Sequence, residues 1–544
     1  ICVRDDTAIG ISLNGACSVV RYESMLLGKL YEKDSFEWDI VGGSKPDGSY
    51  ALFRADESEV ELVTDELATR TIWYYKDDDW FIGSTSQRAI IQFIGDFKFN
   101  PGAVPWMLSS GSLGPEFSWD QRILRVEPNS SVRLQKKNWT LEKTSKKVCF
   151  SEAKRSKKQH KIRLRSAIKS TFENLENLDF SKWLLPLSGG YDSRAILCML
   201  KNRVTGGSLK TVTWGDKQAL EVDGNDAKIA TELAAFLKIP NDYYLTDNRE
   251  ESIDVVLNRF LKCGEGRTDR VAGYIDGMQI WKSFYEKGAT GIIRGDEAFG
   301  WLSVSSYESV IHLLEFVTCK DFRNLSDICE TYHFPEQKIP GYLKKEVGET
   351  IENWRDRLYQ SYRIPTKLAA MSDIKLSYVE VISPFLSKRI LEAVRELPAS
   401  LRSDKKLFSE IVNEITPDFP IATLGANSNL KKVLKDKTLI EYLLTEVRSD
   451  QAEKLLGKDF IKFIIKNGEP GSTNSLGLKK KAIKNLSKIL PKIAKKWIRK
   501  KGPLPKLPPE LLLFRVYIIV AMNKIFWKDA FSLPDLKIDK ITEL

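Results

Sequence analysis

From position 183 the chain reads WLLPLSGGYDSRAILCMLKN, an apolar run that stops at two glycines and resumes with its apolar residues at helical spacing. A short strand that passes through glycines into a helix is half of a βαβ unit. The pattern then recurs. KTVTWG supplies a second strand, and EVDGNDAKIATELAAFLKIP a second helix whose Ile229, Leu233, Ala234 and Leu237 fall on one face. GATGIIRGDEAFGW adds another strand ending in a loop of glycine and acid. This alternation predicts an α/β fold: a parallel sheet with helices on both faces. Upstream the texture differs, because SYALFRAD, EVELVTDE, TIWYYKDD and WFIGSTSQ are β-rich runs punctuated by turn residues, which predicts a mostly antiparallel domain over 1–145. The polar, basic stretch 143–165 reads as a linker entering a helix, so a second, larger domain is expected over 163–544. From about Tyr307 onward the pattern is largely helical, with no internal repeat.

At 544 residues the chain exceeds one ordinary core, which fits two domains. The longest apolar stretch, LLLFRVYIIVAM, is short and carries Arg515, so it reads as a buried helix rather than a membrane span. Seven scattered cysteines with no C-x-x-C pair point to a reducing, cytoplasmic setting and argue against both a disulfide framework and a thiolate zinc site. His160, His312 and His333 have no metal spacing and no Ser or Cys motif beside them, which disfavours imidazole-based catalysis. Net charge is +11, and twelve Lys or Arg with no acid lie in 479–506; subtracting those twelve leaves the rest at about −1. There Ile483, Leu486, Leu490, Ile493 and Trp497 form an apolar stripe interrupted by Pro491. Such a segment suits an anionic membrane surface or an acidic polymer, with peripheral attachment, or else a lid docked on its own domain. It lacks the interleaved aromatics of a nucleic-acid stacking surface.

The loop at 187–194 invites an anion. Backbone N–H groups at the end of a parallel strand, together with the positive end of the following helix, attract negative charge. Gly189 and Gly190 permit close approach of the backbone, Ser188 and Ser193 carry hydroxyls, and no Gly-Lys-Ser/Thr of a Walker loop is present. The competing reading is a tight strand-to-helix turn with no ligand.

LSGGYDS resembles the SGGxDS pyrophosphate loop of the ATP-pyrophosphatase superfamily, and about the first 430 residues resemble its asparagine synthetase branch. DGSYALF, VTDELATRTIWYY and WFIGSTSQRAI are similar to that family's N-terminal strings, with Asp65 and Arg70 in matching positions. RGDEAFGW resembles its second acidic loop, and YVEVISPFLSKRILEAVRELP its Pro-Phe string. The resemblance implies an Ntn-hydrolase-like αββα N-terminal domain, an ATP-pyrophosphatase domain and a helical C-terminal region. It implies ATP and Mg²⁺ as cofactors and attack of a substrate carboxylate on the α-phosphorus, giving an acyl-adenylate and pyrophosphate before an amine forms the amide. Carried over by position, Leu187, Ser188, Gly189, Gly190, Asp192 and Ser193 hold ATP, with Arg194 a candidate for pyrophosphate and an exposed first-turn arginine that contacts nothing as its alternative. Thr213, Trp214 and Gly295 complete the nucleotide site. Asp192 and Asp296 face the metal, with Glu297 as neighbour; a helix N-cap is the alternative for Asp296.

The sequence departs from the glutamine-dependent members. Ile1 precedes Cys2, whereas that mechanism needs a cysteine with a free α-amine, and no Asn-Gly-Glu string follows; Asn14-Gly15-Ala16 is the nearest. The expectation is an N-terminal domain that no longer hydrolyses glutamine, as in the β-lactam synthetases, carbapenam synthetases and lasso-peptide macrolactam cyclases of the family. Their Tyr–Glu base pair is not carried over, since Arg294 and Leu368 lie near those positions. Lys431 stands in for the family lysine that stabilises the adenylate, with a solvated basic face as its alternative, and Glu380 is the candidate substrate contact, with a helix-end carboxylate as its alternative. The expected partner is a small-molecule or peptide carboxylate. Glutamine-dependent asparagine synthesis and a nucleotide-binding protein without ligase chemistry remain the alternatives.

Overall fold

The computed structural model describes residues 2–4, 6–9, 17–32, 37–175, 178–201, 209–246, 250–426, 433–468 and 504–532. The N-terminal part is antiparallel, as its strand runs predict. β1 (Cys2–Arg4) and β2 (Thr7–Ile9) pair alone, while β3 (Ser18–Arg21), β4 (Ser24–Leu30), β5 (Gly48–Ala55) and β6 (Glu59–Thr64) begin a six-stranded sheet. β7 (Trp73–Lys76), β8 (Phe81–Ser84) and β9 (Leu124–Arg125) make a three-stranded sheet in the order β8-β7-β9. β10 (Ser130–Gln135) and β11 (Thr140–Ser145) complete the larger sheet, ordered β11-β10-β6-β5-β4-β3. The β5–β6 hairpin turns at Asp56, whose carboxylate accepts the N–H groups of Ser58 and Glu59 at 2.8 Å each, a local bond that selects Asp for such corners. Register then places Leu52 opposite Val63, both buried.

Helices α1 (Gln87–Ile94) and α2 (Ala103–Ser110) end at Gly95 and Gly111, whose φ values of 69° and 68° give the left-handed cap that glycine adopts without strain. Both pack on the long C-terminal helix Pro509–Ala530. Arg88 donates to Asp529 at 2.6 and 2.8 Å, and Arg515 donates to the carbonyls of Leu108 and Ser109 at 2.9 and 2.7 Å. The apolar run around Arg515 is therefore a buried helix, with Arg515 neutralised by Asp269 at 2.8 Å. No helix among the described residues is long and apolar enough to cross a membrane.

The second sheet is parallel. β12 (Trp183–Pro186), β13 (Lys210–Gly215), β14 (Asn241–Leu245), β15 (Gly291–Ile293) and β16 (Glu380–Ile382) lie in the order β14-β13-β12-β15-β16. The chain builds outward from β12 on one side, then returns to build outward on the other. Connections leaving β12 and β15 diverge there, and a crevice opens at the carboxyl ends of those two strands, which is where open α/β sheets bind ligands. Helix α3 (Lys157–Glu173) opens with a Ser156/Gln159 capping box, and its Lys157 pairs at 2.7 Å with Glu410. Helix α4 (Tyr191–Lys201) buries Ala195, Ile196, Leu197 and Leu200 against the sheet, about 1.5–3 kcal/mol for each fully buried large aliphatic side chain. Helix α5 (Asp226–Phe236) follows β13, with Ile229, Leu233 and Ala234 buried as the spacing predicts. The fold class read from the sequence is the one observed. Nearly all of the basic stretch 479–506 lies outside the described residues.

Candidate active site

At the switch point between β12 and β15 lies a cavity of about 300 Å³ bordered by Leu187, Ser188, Asp192, Ser193, Trp214 and Gly295, with Asp226, Arg294 and Asp296. Its floor is built by local hydrogen bonding. Ser193 Oγ lies 2.9 Å from Ser188 Oγ and accepts the Ser188 N–H at 3.0 Å, which curls the loop over the start of α4. Gly189 donates its N–H to Asp226 at 2.9 Å, so the first turn of α5 holds the loop from the other side. The loops after β12 and β15 touch at Gly295, where a Cβ would come within 2.9 Å of Asp192 Cβ and 3.2 Å of the Ser193 nitrogen. Only glycine fits that approach.

Besides Asp226, three acids and two cations pair here. Lys405 Nζ reaches both oxygens of Asp192, at 2.8 and 3.0 Å, and Glu297 at 2.8 Å. Arg294 donates to Asp296 at 3.0 and 3.1 Å, and Ser383 Oγ donates to the same carboxylate at 3.2 Å. One ammonium cannot fully neutralise two carboxylates. Burial pushes Glu297 up to about 7, with the Asp192 charge adding to the rise and Lys405 opposing it. Asp192 is also raised, chiefly by burial, against the pull of Lys405 and with a contribution from Asp296. Burial works against the Lys405 cation, yet Glu297 and Asp192 together carry it up to about 12. Asp296 behaves oppositely: burial opposes its charge, but Arg294, Lys375 and Ser383 hold it below the usual carboxylate range.

Most of the loop residues read from the sequence line the cavity, and several do not. Gly189 and Gly190 shape the loop, and Gly189 packs so closely on Ala422 that a Cβ would lie 2.7 Å from it. Thr213 is buried and donates its hydroxyl to the Leu187 carbonyl at 3.1 Å, bracing the strand end rather than facing the cavity. Arg194, expected on pyrophosphate, is turned inward: only 2% exposed, it donates to the carbonyls of Phe419, at 2.7 Å, and Pro420. It clamps the strand-to-helix turn to the segment behind it. Asp296 is not a helix N-cap, since no helix follows it. Glu380 is the clearest correction. It sits at the amino end of β16, the opposite end of the sheet from the cavity, fully buried, paired with Arg70 and accepting the Cys17 N–H at 2.7 Å. A carboxylate so enclosed joins the two parts of the chain and is closed to a substrate. Asp65 is likewise structural, accepting from the backbone of Tyr50, Leu67 and Thr69 at 3.0–3.1 Å. Lys431 lies outside the described residues.

No family model matches this chain. Nor does any curated protein sequence match it. Among solved structures, an NH3-dependent NAD synthetase from Campylobacter jejuni, in complex with the nitrate ion, aligns at 17% identity with a TM-score of 0.18, over 30% of this chain and 62% of that one. At that overlap the functional reading rests on the cavity itself.

Sequence reasoning missed Lys405 and Asp226. Lys405 is one lysine in an ordinary SDKKLF helix start, 213 residues from Asp192, and nothing local marks it. Asp226 carried a faint signal, an acid at the start of the helix after the second parallel strand.

The donors fit Mg²⁺. Asp192 and Asp296 border one cavity and offer only oxygen, and Mg²⁺ is commonly held by one or two carboxylates plus the phosphates of its substrate. No group of three or more ligating side chains stands ready among the described residues, so substrate phosphate and water would supply the rest of the shell.

Proposed function

We propose that this chain is an ATP-dependent amide-forming ligase that adenylates a carboxylate, releasing pyrophosphate, and passes the acyl group to an amine without hydrolysing glutamine. The observation that carries the reading is the pairing, across one switch-point cavity, of a glycine–serine anion loop with two carboxylates that each come with a cation. The start of α4 would take the phosphate chain on its first backbone N–H groups, beside the Ser188 and Ser193 hydroxyls, while the N–H groups of 188–190 hold the loop in shape. Mg²⁺, held by Asp192 and Asp296, would offset phosphate charge and polarise the α-phosphoryl group. Lys405 and Arg294 are the cations placed to neutralise charge that develops on the leaving pyrophosphate. Trp214, set edge-on to Trp281 with ring centroids 5.4 Å apart, offers a flat wall for a nucleobase. The bonds that change are the α–β phosphoanhydride, which breaks as the carboxylate oxygen attacks the α-phosphorus, and the acyl–oxygen bond, which breaks as the amine nitrogen adds and loses its proton. The glutamine-independent half of the reading is supported by the missing Asn-Gly-Glu string in 1–145.

The test is release of pyrophosphate and AMP by the purified chain against a panel of acids and amines, with Asp192→Ala as control. Amine-dependent pyrophosphate release that falls at least a hundredfold in the variant supports the proposal. Release of ADP and phosphate would overturn it, and asparagine formed from glutamine would overturn the glutamine-independent half.

A further inference from the structure

A second cluster of charge lies away from the switch point. A cavity of about 180 Å³ is lined by Ser109, Ser110, Asp269, Arg270, Glu315 and Arg515, among others, where α2 and the C-terminal helix meet the segments around 269–270 and 312–322, and the helical stretch Tyr359–Leu368 reaches it through Glu315. That stretch is a π-helix, a form that recurs at functional sites because its extra residue re-aims side chains. It sends Arg363 and Lys367 into the cluster: Lys367 lies 3.1 Å and Arg363 3.8 Å from Glu315, which also pairs with Arg270. Arg515 is bound to Asp269 at 2.8 Å.

With Lys367 protonated, four cations share two acids, an excess of two positive charges. The carbonyls of Leu108, Ser109 and Ser110 at the C-terminal end of α2 accept from Arg515 and Lys367, and a helix end carries only about half a negative charge. More than one positive charge is left over. Buried like charges repel strongly where water cannot screen them, and Lys367 is just 3% exposed. Arg363 adds a second indication: its buried Nε has no hydrogen-bond partner, although the guanidinium rests on the Trp301 ring at 5.5 Å. Burial, opposed by Asp269 and reinforced by the three arginines, pulls Lys367 well below its ordinary value, a shift that a bound anion would reverse.

We infer that this cavity is a binding site for a small dianion of the phosphate class, held by Arg270 and Arg515 on its wall, with Arg363 and Lys367 adding positive charge from behind Glu315. Its volume is below the roughly 300–1,000 Å³ of sites for drug-sized ligands, so the ligand is a phosphate ion or a compact phosphomonoester. The inference is independent of the ligase reading, because it concerns different residues.

Isothermal titration of the full chain with inorganic phosphate, in chloride buffer at pH 7.5, tests it. One site is expected, weakened at least tenfold by Arg363→Met and unaffected by Ser188→Ala in the other loop. Arg270→Met, at a side chain 39% exposed, gives the same readout should Arg363→Met fail to fold. Glycerol 3-phosphate binding more tightly than phosphate would identify a phosphomonoester, and weaker binding the free ion. The absence of phosphate binding, or its loss in Ser188→Ala but not in the arginine variants, would overturn the inference.

Discussion

Replacing Lys405 with methionine would leave Asp192 and Glu297 facing each other without the ammonium that now sits 2.8 Å from each. Removing one partner of a buried ion pair costs about 3–5 kcal/mol. Lys405 and Asp192 retain 27% and 28% of their side-chain exposure, so water recovers part of that, and about 2–3 kcal/mol at pH 8 is the expected loss. The loss carries a pH signature. Glu297 is already lifted from 4.5 to about 7, and both acids rise further once Lys405 is gone. An acid that holds its proton more tightly folded than unfolded stabilises the fold below its unfolded value and withdraws that support as pH rises through its folded value. The variant should therefore be close to wild type near pH 5 and fall away between pH 5 and 8. Urea denaturation at pH 5, 6.5 and 8 reads this directly, and adding Glu297→Gln should restore at least half of the loss at pH 8. An equal loss at every pH, or no recovery in the double variant, would show that Lys405 does not act through these carboxylates.

Gly295→Ala should push the two loops apart, with an overpacking penalty of about 1–3 kcal/mol and at least a tenfold drop in ATP affinity, measurable by titration with a non-hydrolysable ATP analogue. Glu380→Gln should lower stability by about 3–5 kcal/mol in denaturation, through the stranded Arg70, while the KM for ATP stays within twofold of wild type. Phe408→Ala removes a ring stacked 3.8 Å from Phe299 and should cost about 3–5 kcal/mol; because Lys405 caps the helix that carries Phe408, pyrophosphate release should fall as well.

The cavity-lining loops were legible because their signals are local. Two glycines between an apolar run and a helical period mark a strand-to-helix turn wherever they occur, and the same reading found RGDEAF. Arg194 was misjudged for a physical reason: a first-turn arginine looks alike whether it faces an anion or reaches back to carbonyls, and the carbonyls of Phe419 and Pro420 arrive from 225 and 226 residues away. Glu380 was misjudged similarly. Its string is apolar on both sides, so the sequence marks burial, but Arg70 lies 310 residues distant and only the docking of the two parts brings it there.

By itself the sequence determined the kinds of element, their alternation, the parallel character of the second sheet and the two loops at its switch point, since hydrophobic period and glycine placement act within a few residues. Tertiary structure alone decided which charges meet: Lys405 between Asp192 and Glu297, Arg294 on Asp296, and the four cations around Glu315 and Asp269. Charge pairing depends on distances between side chains far apart in sequence, and the folded chain sets those distances.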